Sequence, residues 1–129
     1  MARLPRNPKF WLAAFLLWFG VLWVLSSGTH PDMPAPPIAD FDKVEHFGYF
    51  FGGAGLFSAW LFRRNPEKPN WRTIITLTII AVALTGLLDE IHQGYVPGRS
   101  GNDPADWTAD FLGAIAGALV FKRFHHRLK

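Results

Sequence analysis

Four apolar stretches, each about 20 residues long, constrain the fold of this chain more than any other feature of the sequence. A helix of that length rises about 30 Å, which is the thickness of the hydrocarbon core of a bilayer. Backbone amides find no water inside lipid, so a helix is the conformation open to each stretch. The sequence therefore predicts an all-α, four-helix transmembrane bundle with spans at about residues 10–27, 42–62, 73–93 and 104–121.

The lysines and arginines indicate how these spans are oriented. Eleven of the 13 fall in three patches, which precede the first span, separate the second from the third, and follow the fourth. Nine of the ten acids lie at or near the remaining gaps. Positively charged loops stay on the cytoplasmic side during insertion, so both termini and the central loop are predicted to be cytoplasmic. We expect a multi-pass protein of the inner (cytoplasmic) membrane whose acids face outward.

The composition excludes several classes of protein. The sequence pI of about 9.6 does not indicate nucleic-acid binding, because the cations lie at span ends, where they meet lipid headgroups. The absence of cysteine rules out disulfides and thiol chemistry. Residues 1–28 resemble a signal peptide, but the apolar run holds three tryptophans and lacks a small-residue cleavage site. We therefore expect a retained anchor helix and a single domain over residues 1–129.

Polar side chains collect at the outer ends of spans two, three and four, whereas span one is expected to contribute none. The two aspartates of span four, Asp106 and Asp110, continue inward as a stripe that contains two glycines. Gly113 and Gly117 form a G-x-x-x-G pattern, which predicts a close helix contact. That contact lies either within the bundle or between copies in a homo-oligomer. Three glycines of span two also predict close approach of a neighbouring helix: Gly52, Gly53 and Gly55.

Two segments of the chain carry a recognisable pattern. They are DKVEHFGYFFGGAG, which begins at residue 42, and LLDEIHQGYVPGRSGNDPADWTADFLGAIAG, which begins at residue 87. Together they resemble the VanZ-like family of small integral membrane proteins over about residues 40–120. The shared features are a Lys/His pair, a Glu-x-x-Gln pair, an Arg in a Pro-Gly turn and an Asp-rich start to a glycine-bearing last helix. The position of Asp110 is often Asn in that family. The resemblance implies an accessory protein associated with low-level resistance to teicoplanin-type glycopeptide antibiotics.

The polar outer face supplies the candidate site residues. The candidate catalytic residues are His46, Glu90 and Arg99, and the candidate substrate-binding residues are Asp42, Lys43, Gln93, Asp106 and Asp110. Ionisable residues within membrane spans are functional candidates by default. The alternative is that charges at wet span ends pair with one another and anchor the helices.

The direction in which each candidate points decides between these interpretations. Asp89 and Glu90 are adjacent on a helix and therefore face different ways. We expect Glu90 to face the bundle interior and Asp89 to be a solvated charge at the helix end. His92 is expected to lie at the interface. His46 lies one turn below Asp42, which would orient its ring as a base–orienter pair requires, unless the imidazole serves packing alone.

Arg99 and Lys43 each allow two interpretations. Arg99 either clamps its loop to Asp106 through a bidentate pair or binds a phosphate or carboxylate of a lipid headgroup, and Lys43 has the same choice. A metal site built from His46, Glu90 and the two span-four aspartates is chemically allowed. No close-spaced ligand motif such as H-E-x-x-H occurs, however, so neither a metal nor another cofactor is expected.

Three functions follow from the residues. The polar face would bind membrane lipids, specifically an envelope lipid or lipid-linked glycan, and so alter glycopeptide susceptibility. Alternatively, the protein is a membrane-embedded hydrolase or transferase, with Glu90 or His46 as general base and Arg99 stabilising an anionic intermediate. A third alternative is a structural or regulatory subunit whose polar residues hold the helices together. A transporter is disfavoured, because no inverted repeat and no polar residue at the midplane is apparent.

Overall fold

The structure is a computed structural model that describes residues 3–27, 41–97 and 104–129, without the side chains of residues 41 and 42. These residues form four long helices, and a short 3₁₀ helix, His125–Leu128, follows the last one. The long helices are α1 (Pro8–Ser27), α2 (Phe41–Arg64), α3 (Trp71–Gly94) and α4 (Pro104–Phe124). The described ranges contain no strand, and the predicted all-α, four-helix architecture is confirmed.

Helix starts follow from capping residues. The Asn7 side chain accepts a hydrogen bond from the Lys9 amide at 2.9 Å, and Pro8 takes the first helical position, where its missing N–H has no cost. Asn70 caps α3 in the same way by accepting from the Thr73 amide at 3.1 Å. Each helix begins and ends within three residues of the span that the sequence predicts.

Two of the helices, α1 and α3, are long and apolar enough to cross a membrane. Their outward faces carry large apolar side chains: Leu17 and Val24 are each 70% exposed, and Leu88 is 52% exposed. Such a surface is unfavourable in water, but it matches the acyl chains of a bilayer. The outward-facing residues therefore agree with a helical bundle that is surrounded by lipid.

Helix α2 packs against each of the other three helices and against α4 most extensively. Gly113 and Gly117 of α4 lie against the backbone carbonyls of Phe47 and Phe51, and a methyl group added at either glycine would overlap the facing oxygen. The G-x-x-x-G pattern therefore mediates a contact within the bundle. This contact brings the aspartates at the start of α4 next to the first turns of α2.

The α1–α2 contact is built from a reciprocal pair of aromatic residues. The Trp18 Nε1 donates to the Tyr49 carbonyl at 3.1 Å, and the Tyr49 hydroxyl donates to the Trp18 carbonyl at 2.7 Å. The two rings stack with their centroids 5.0 Å apart. Gly53 makes room for them, because a methyl group there would collide with the Trp18 ring, whereas Gly52 and Gly55 meet no neighbour within 4 Å. Of the three α2 glycines, Gly53 is thus the one that admits another helix.

The basic patches meet at one end of the bundle. The Arg63 guanidinium donates to the carbonyl of Arg6 at 2.8 Å and to the carbonyl of Leu128 at 2.7 Å. It thereby joins the N-terminal segment, the end of α2 and the C-terminal 3₁₀ helix. An open groove of about 300 Å³ lies at the same end and is lined in part by Arg64 and Lys68. The segregation of cations seen along the sequence is therefore also present in three dimensions.

Candidate functional site

Candidate site residues from three helices meet at the end of the bundle opposite the basic patches. Helix α2 contributes Lys43 and His46, α3 contributes Glu90, and α4 contributes Asp106 and Asp110. We call these five residues the polar cluster. Their meeting follows from the helix directions, because the first turns of α2 and α4 lie beside the last turns of α3.

The outer rim of the polar cluster is an ion pair. The Lys43 Nζ lies 2.6 Å from the Asp106 Oδ1, and the two side chains are 26% and 14% exposed. Within the described residues this contact gives Lys43 the role of a clamp between α2 and α4.

The imidazole of His46 lies one turn below this rim. Its Nδ1 is 2.7 Å from the Asp110 Oδ1, and its Nε2 is 3.9 Å from the Asp106 Oδ2. A carboxylate that holds one ring nitrogen fixes the ring orientation, which is the geometry of a base and its orienter. The sequence suggested Asp42 as the orienter, but the side chain of Asp42 lies outside the described residues. Within the described part, Asp110 takes this position.

The innermost members of the polar cluster are two buried carboxylates. Glu90 is 2% exposed, which confirms that it faces the bundle interior, and Asp110 is fully buried. One ligand atom from each of His46, Glu90 and Asp110 lies within 4.8 Å of the other two. In the described part of the chain, the Asp110 Oδ2 has no hydrogen-bond partner. The cluster therefore brings one imidazole and two carboxylates together away from solvent.

The burial of Asp89 contradicts the prediction made for this residue. It was expected to be a solvated charge, but it is fully buried. The Ser26 hydroxyl donates to its Oδ1, and the Gln93 amide donates to its Oδ2 at 2.8 Å. Ser26 belongs to α1, so the expectation that the first helix contributes no polar group to this end is also wrong. Gln93, a predicted substrate-binding residue, is bound to Asp89 in this second network.

His92 lies against the first helix. Its ring stacks on Trp23 with the centroids 3.7 Å apart, and its Nε2 is 3.3 Å from the Ser27 hydroxyl. The contact adds a further polar link between α1 and the end of α3. His92 therefore takes part in helix packing at the rim of this end of the bundle.

One predicted catalytic residue is not placed by the structure. Arg99 lies outside the described residues, so its pairing with Asp106 and its role as an anion donor both stay predictions. The candidates whose side chains are described divide into two groups. All five members of the polar cluster are among them, and Gln93 belongs to the Asp89 network.

Comparison with known proteins identifies the family. The sequence model of the VanZ/LLP1 family matches residues 9–125, which extends the resemblance to α1 and to the end of α4. The chain belongs to the VanZ/LLP1 family. Comparison with curated proteins gave no match, and comparison with solved structures gave none either. This VanZ-family chain is thus a helical membrane protein in general terms, and its specific activity has to be inferred from its own residues.

Proposed function

We propose that the polar cluster binds the headgroup of an envelope lipid or of a lipid-linked glycan and thereby changes susceptibility to teicoplanin-type glycopeptides. The observation that carries the proposal is the convergence of a lysine, a histidine and three carboxylates from three helices at one end of the bundle. The link to glycopeptides comes from the family resemblance.

The burial of these groups favours a function over anchoring alone. A charged group inside a membrane span costs about 2.5–3.5 kcal/mol at the helix centre and less near the interface. Charges that merely anchor a helix end can remain exposed, yet Glu90 and Asp110 are almost fully covered. Their position behind a partly exposed Lys43–Asp106 pair suits a site with an accessible rim and a buried base.

The chemistry of the rim suits a phosphorylated or glycosylated headgroup. Lys43 and His46 carry N–H donors for phosphate oxygens, and the Asp106 carboxylate accepts hydrogen bonds from sugar hydroxyls. These donors and acceptors lie side by side, since the His46 ring is 3.9 Å from Asp106. A lipid-linked glycan presents both kinds of group close to the bilayer surface.

The membrane arrangement that we infer puts this rim on the outer side. All four helices cross the inner membrane, and both termini are cytoplasmic. The Arg63 contacts support this orientation, because they gather the basic patches at the end opposite the polar cluster. A polar cluster on the outer side would face lipid-linked intermediates of the cell envelope.

The first test compares Glu90→Gln with Thr78→Val in cells that express the protein. Glu90→Gln removes a buried charge and Thr78→Val a buried hydroxyl from α3, and each keeps the side-chain shape. Thr78 bonds to Ser58 at 3.0 Å, far from the cluster. We expect both variants to reach normal membrane abundance and Glu90→Gln alone to lose the effect on teicoplanin susceptibility. Unchanged susceptibility with Glu90→Gln would refute the proposal, and loss of abundance would assign Glu90 to bundle packing.

A direct binding measurement complements the cellular one. Purified protein in detergent is mixed with a polyprenyl-pyrophosphate-linked disaccharide or with phosphatidylethanolamine, and complexes are counted by native mass spectrometry. We expect selective retention of the lipid-linked glycan by the wild type and its loss in Lys43→Met. Equal retention of both lipids by both proteins would show adhesion to the apolar surface instead.

A second candidate function, hydrolysis or transfer on a lipid-linked substrate, is favoured by one contact. The 2.7 Å approach of the His46 Nδ1 to Asp110 makes a base–orienter pair, and His46 would take the proton from an attacking water or hydroxyl. Incubation of purified protein with the labelled lipid-linked glycan distinguishes the two functions. Binding without a released product supports recognition, whereas a product that disappears in His46→Gln supports catalysis.

A further inference from the structure

We propose that His46, Glu90 and Asp110 bind one divalent cation of the Zn²⁺ or Mn²⁺ type. Each residue comes from a different helix, namely α2, α3 and α4. The inference goes beyond headgroup binding, and its test uses the metal alone, so either proposal can fail without the other.

The spacing of the three side chains fits a shared ion. Ligand atoms bound to one tetrahedral zinc ion at about 2.0–2.2 Å lie roughly 3.3 to 3.6 Å apart. One atom each from His46, Glu90 and Asp110 lies within 4.8 Å of the others. Side-chain shifts of about 1 Å would therefore bring the three ligand atoms to bonding distance of one ion, without movement of the helices.

An oxygen of Asp110 supplies an independent observation. Its Oδ1 contacts His46, but its Oδ2 is buried and has no hydrogen-bond partner in the described part of the chain. A buried polar atom without a partner is unfavourable, and a bound cation would remove that penalty. The unpaired oxygen thus has room for a partner that the side chains of the described residues do not supply.

Gly86 allows the carboxylate to approach α3. A Cβ at this position would lie 2.9 Å from the Asp110 Oδ2, which is tighter than side-chain atoms normally tolerate. Gly86 is one turn before Glu90 on the same face of α3. The glycine therefore leaves space for the Asp110 oxygen beside the turn that carries the second carboxylate ligand.

The ligand types indicate the class of ion. One imidazole with two carboxylates suits zinc or manganese better than calcium, which prefers a shell of six to eight oxygens. Three protein ligands also leave a coordination position open to a phosphate or a water. The Lys43–Asp106 pair lies next to one of the three ligands, because an Asp106 oxygen is 3.9 Å from the His46 ring.

The sequence led to the expectation that no metal is bound, because it contains no short ligand motif. Short ligand motifs such as H-E-x-x-H place two ligands on one helix. Here each helix provides a single ligand, so the spacing between ligands along the chain is long and carries no pattern. The sequence allowed a metal site at these residues, but the packing of α2, α3 and α4 is what shows that one ligand atom from each helix lies close to the other two.

The test is metal binding by the purified full-length protein, prepared without a polyhistidine tag. We expect one Zn²⁺ per chain by mass spectrometry of the metal, and competition with a chromophoric chelator gives the affinity. Glu90→Gln and Asp110→Asn each remove a ligand and keep the side-chain shape, so we expect each to weaken binding by on the order of 100-fold. Trp fluorescence melting confirms that each variant is folded.

Asp89→Asn is the matched control. Asp89 is adjacent to Glu90 and equally buried, but it accepts hydrogen bonds from Ser26 and Gln93 and does not belong to the set of His46, Glu90 and Asp110. We expect this variant to keep wild-type zinc affinity within a few-fold. Equal losses in Asp89→Asn and Glu90→Gln, or no stoichiometric zinc in the wild type, overturn the proposal.

A second measurement on the wild type tests the proposal even if the ligand variants do not fold. X-ray absorption of the zinc-loaded wild type should show one nitrogen and at least two oxygens around the ion. The chain also carries His125 and His126 at the basic end, so the double variant with alanine at both is measured in parallel. Zinc that is lost in this double variant, or a shell without nitrogen, contradicts the assignment.

Discussion

Replacing Gly113 with alanine is expected to separate α4 from α2 and to destabilise the bundle. The added methyl group would overlap the Phe47 carbonyl oxygen, and ordinary contacts begin near 3.4 Å, so α4 must withdraw by about 1 Å. The obstacle is backbone of a neighbouring helix, which cannot rotate away as a side chain does. Overpacking of this kind costs about 1–3 kcal/mol.

The gain in helix propensity does not offset this cost. Alanine favours a helix over glycine by about 1 kcal/mol in water, but in lipid the backbone is helical whether or not the helices are packed together. The propensity term therefore largely cancels between the packed and the separated states. A net loss of about 2 kcal/mol corresponds to a roughly 30-fold lower ratio of folded to unfolded protein.

The assay is equilibrium unfolding in mixed detergent micelles, followed by the fluorescence of the tryptophans. Gly52→Ala is the control, because no atom lies within 4 Å of a methyl group at that position, and its change should stay below about 0.5 kcal/mol. If Gly113→Ala is as stable as Gly52→Ala, the close contact between α2 and α4 does not hold in the folded protein. The reasoning would then be refuted at its first step.

Two further predictions concern helix contacts and orientation. Tyr49→Phe removes the donor to the Trp18 carbonyl and should lower the free energy of unfolding by about 0.6 kcal/mol, up to about 1.7. Tyr95 is 84% exposed, so Tyr95→Phe is the control and should change nothing measurable in the same unfolding assay. The chain lacks cysteine, so single cysteines at the exposed Glu45 and Glu67 can be labelled selectively in intact cells. A membrane-impermeant maleimide should label residue 45 and spare residue 67; the reverse pattern would invert the orientation that we infer from the basic patches.

The fold was accessible from the sequence because its main determinants are local. The length of each apolar stretch sets the length of a helix, and residues such as Asn70 and Pro104 mark helix starts. Burial of Glu90 was also predictable, since it follows from the face of a single helix. None of these conclusions requires knowledge of which helices are neighbours.

The polar contacts at the end opposite the basic patches were harder to predict, because they depend on which helices are neighbours. The prediction that Asp89 is solvated follows from its facing away from Glu90, and it is wrong because the Ser26 hydroxyl of α1 supplies a partner on that face. One signal was present in the sequence: Asp89 and Gln93 are four residues apart and share a helix face, and they do form a hydrogen bond. The approach of Asp110 to Glu90 had no such local signal.

The Arg63 contacts also bear on the order in which the chain assembles. Their two acceptors are the carbonyls of residues 6 and 128, near opposite ends of the sequence. The first acceptor leaves the ribosome before any helix has formed, and the second leaves after all four. The guanidinium in the centre of the chain therefore completes its pair of bonds only after the fourth long helix has been made and has joined the bundle.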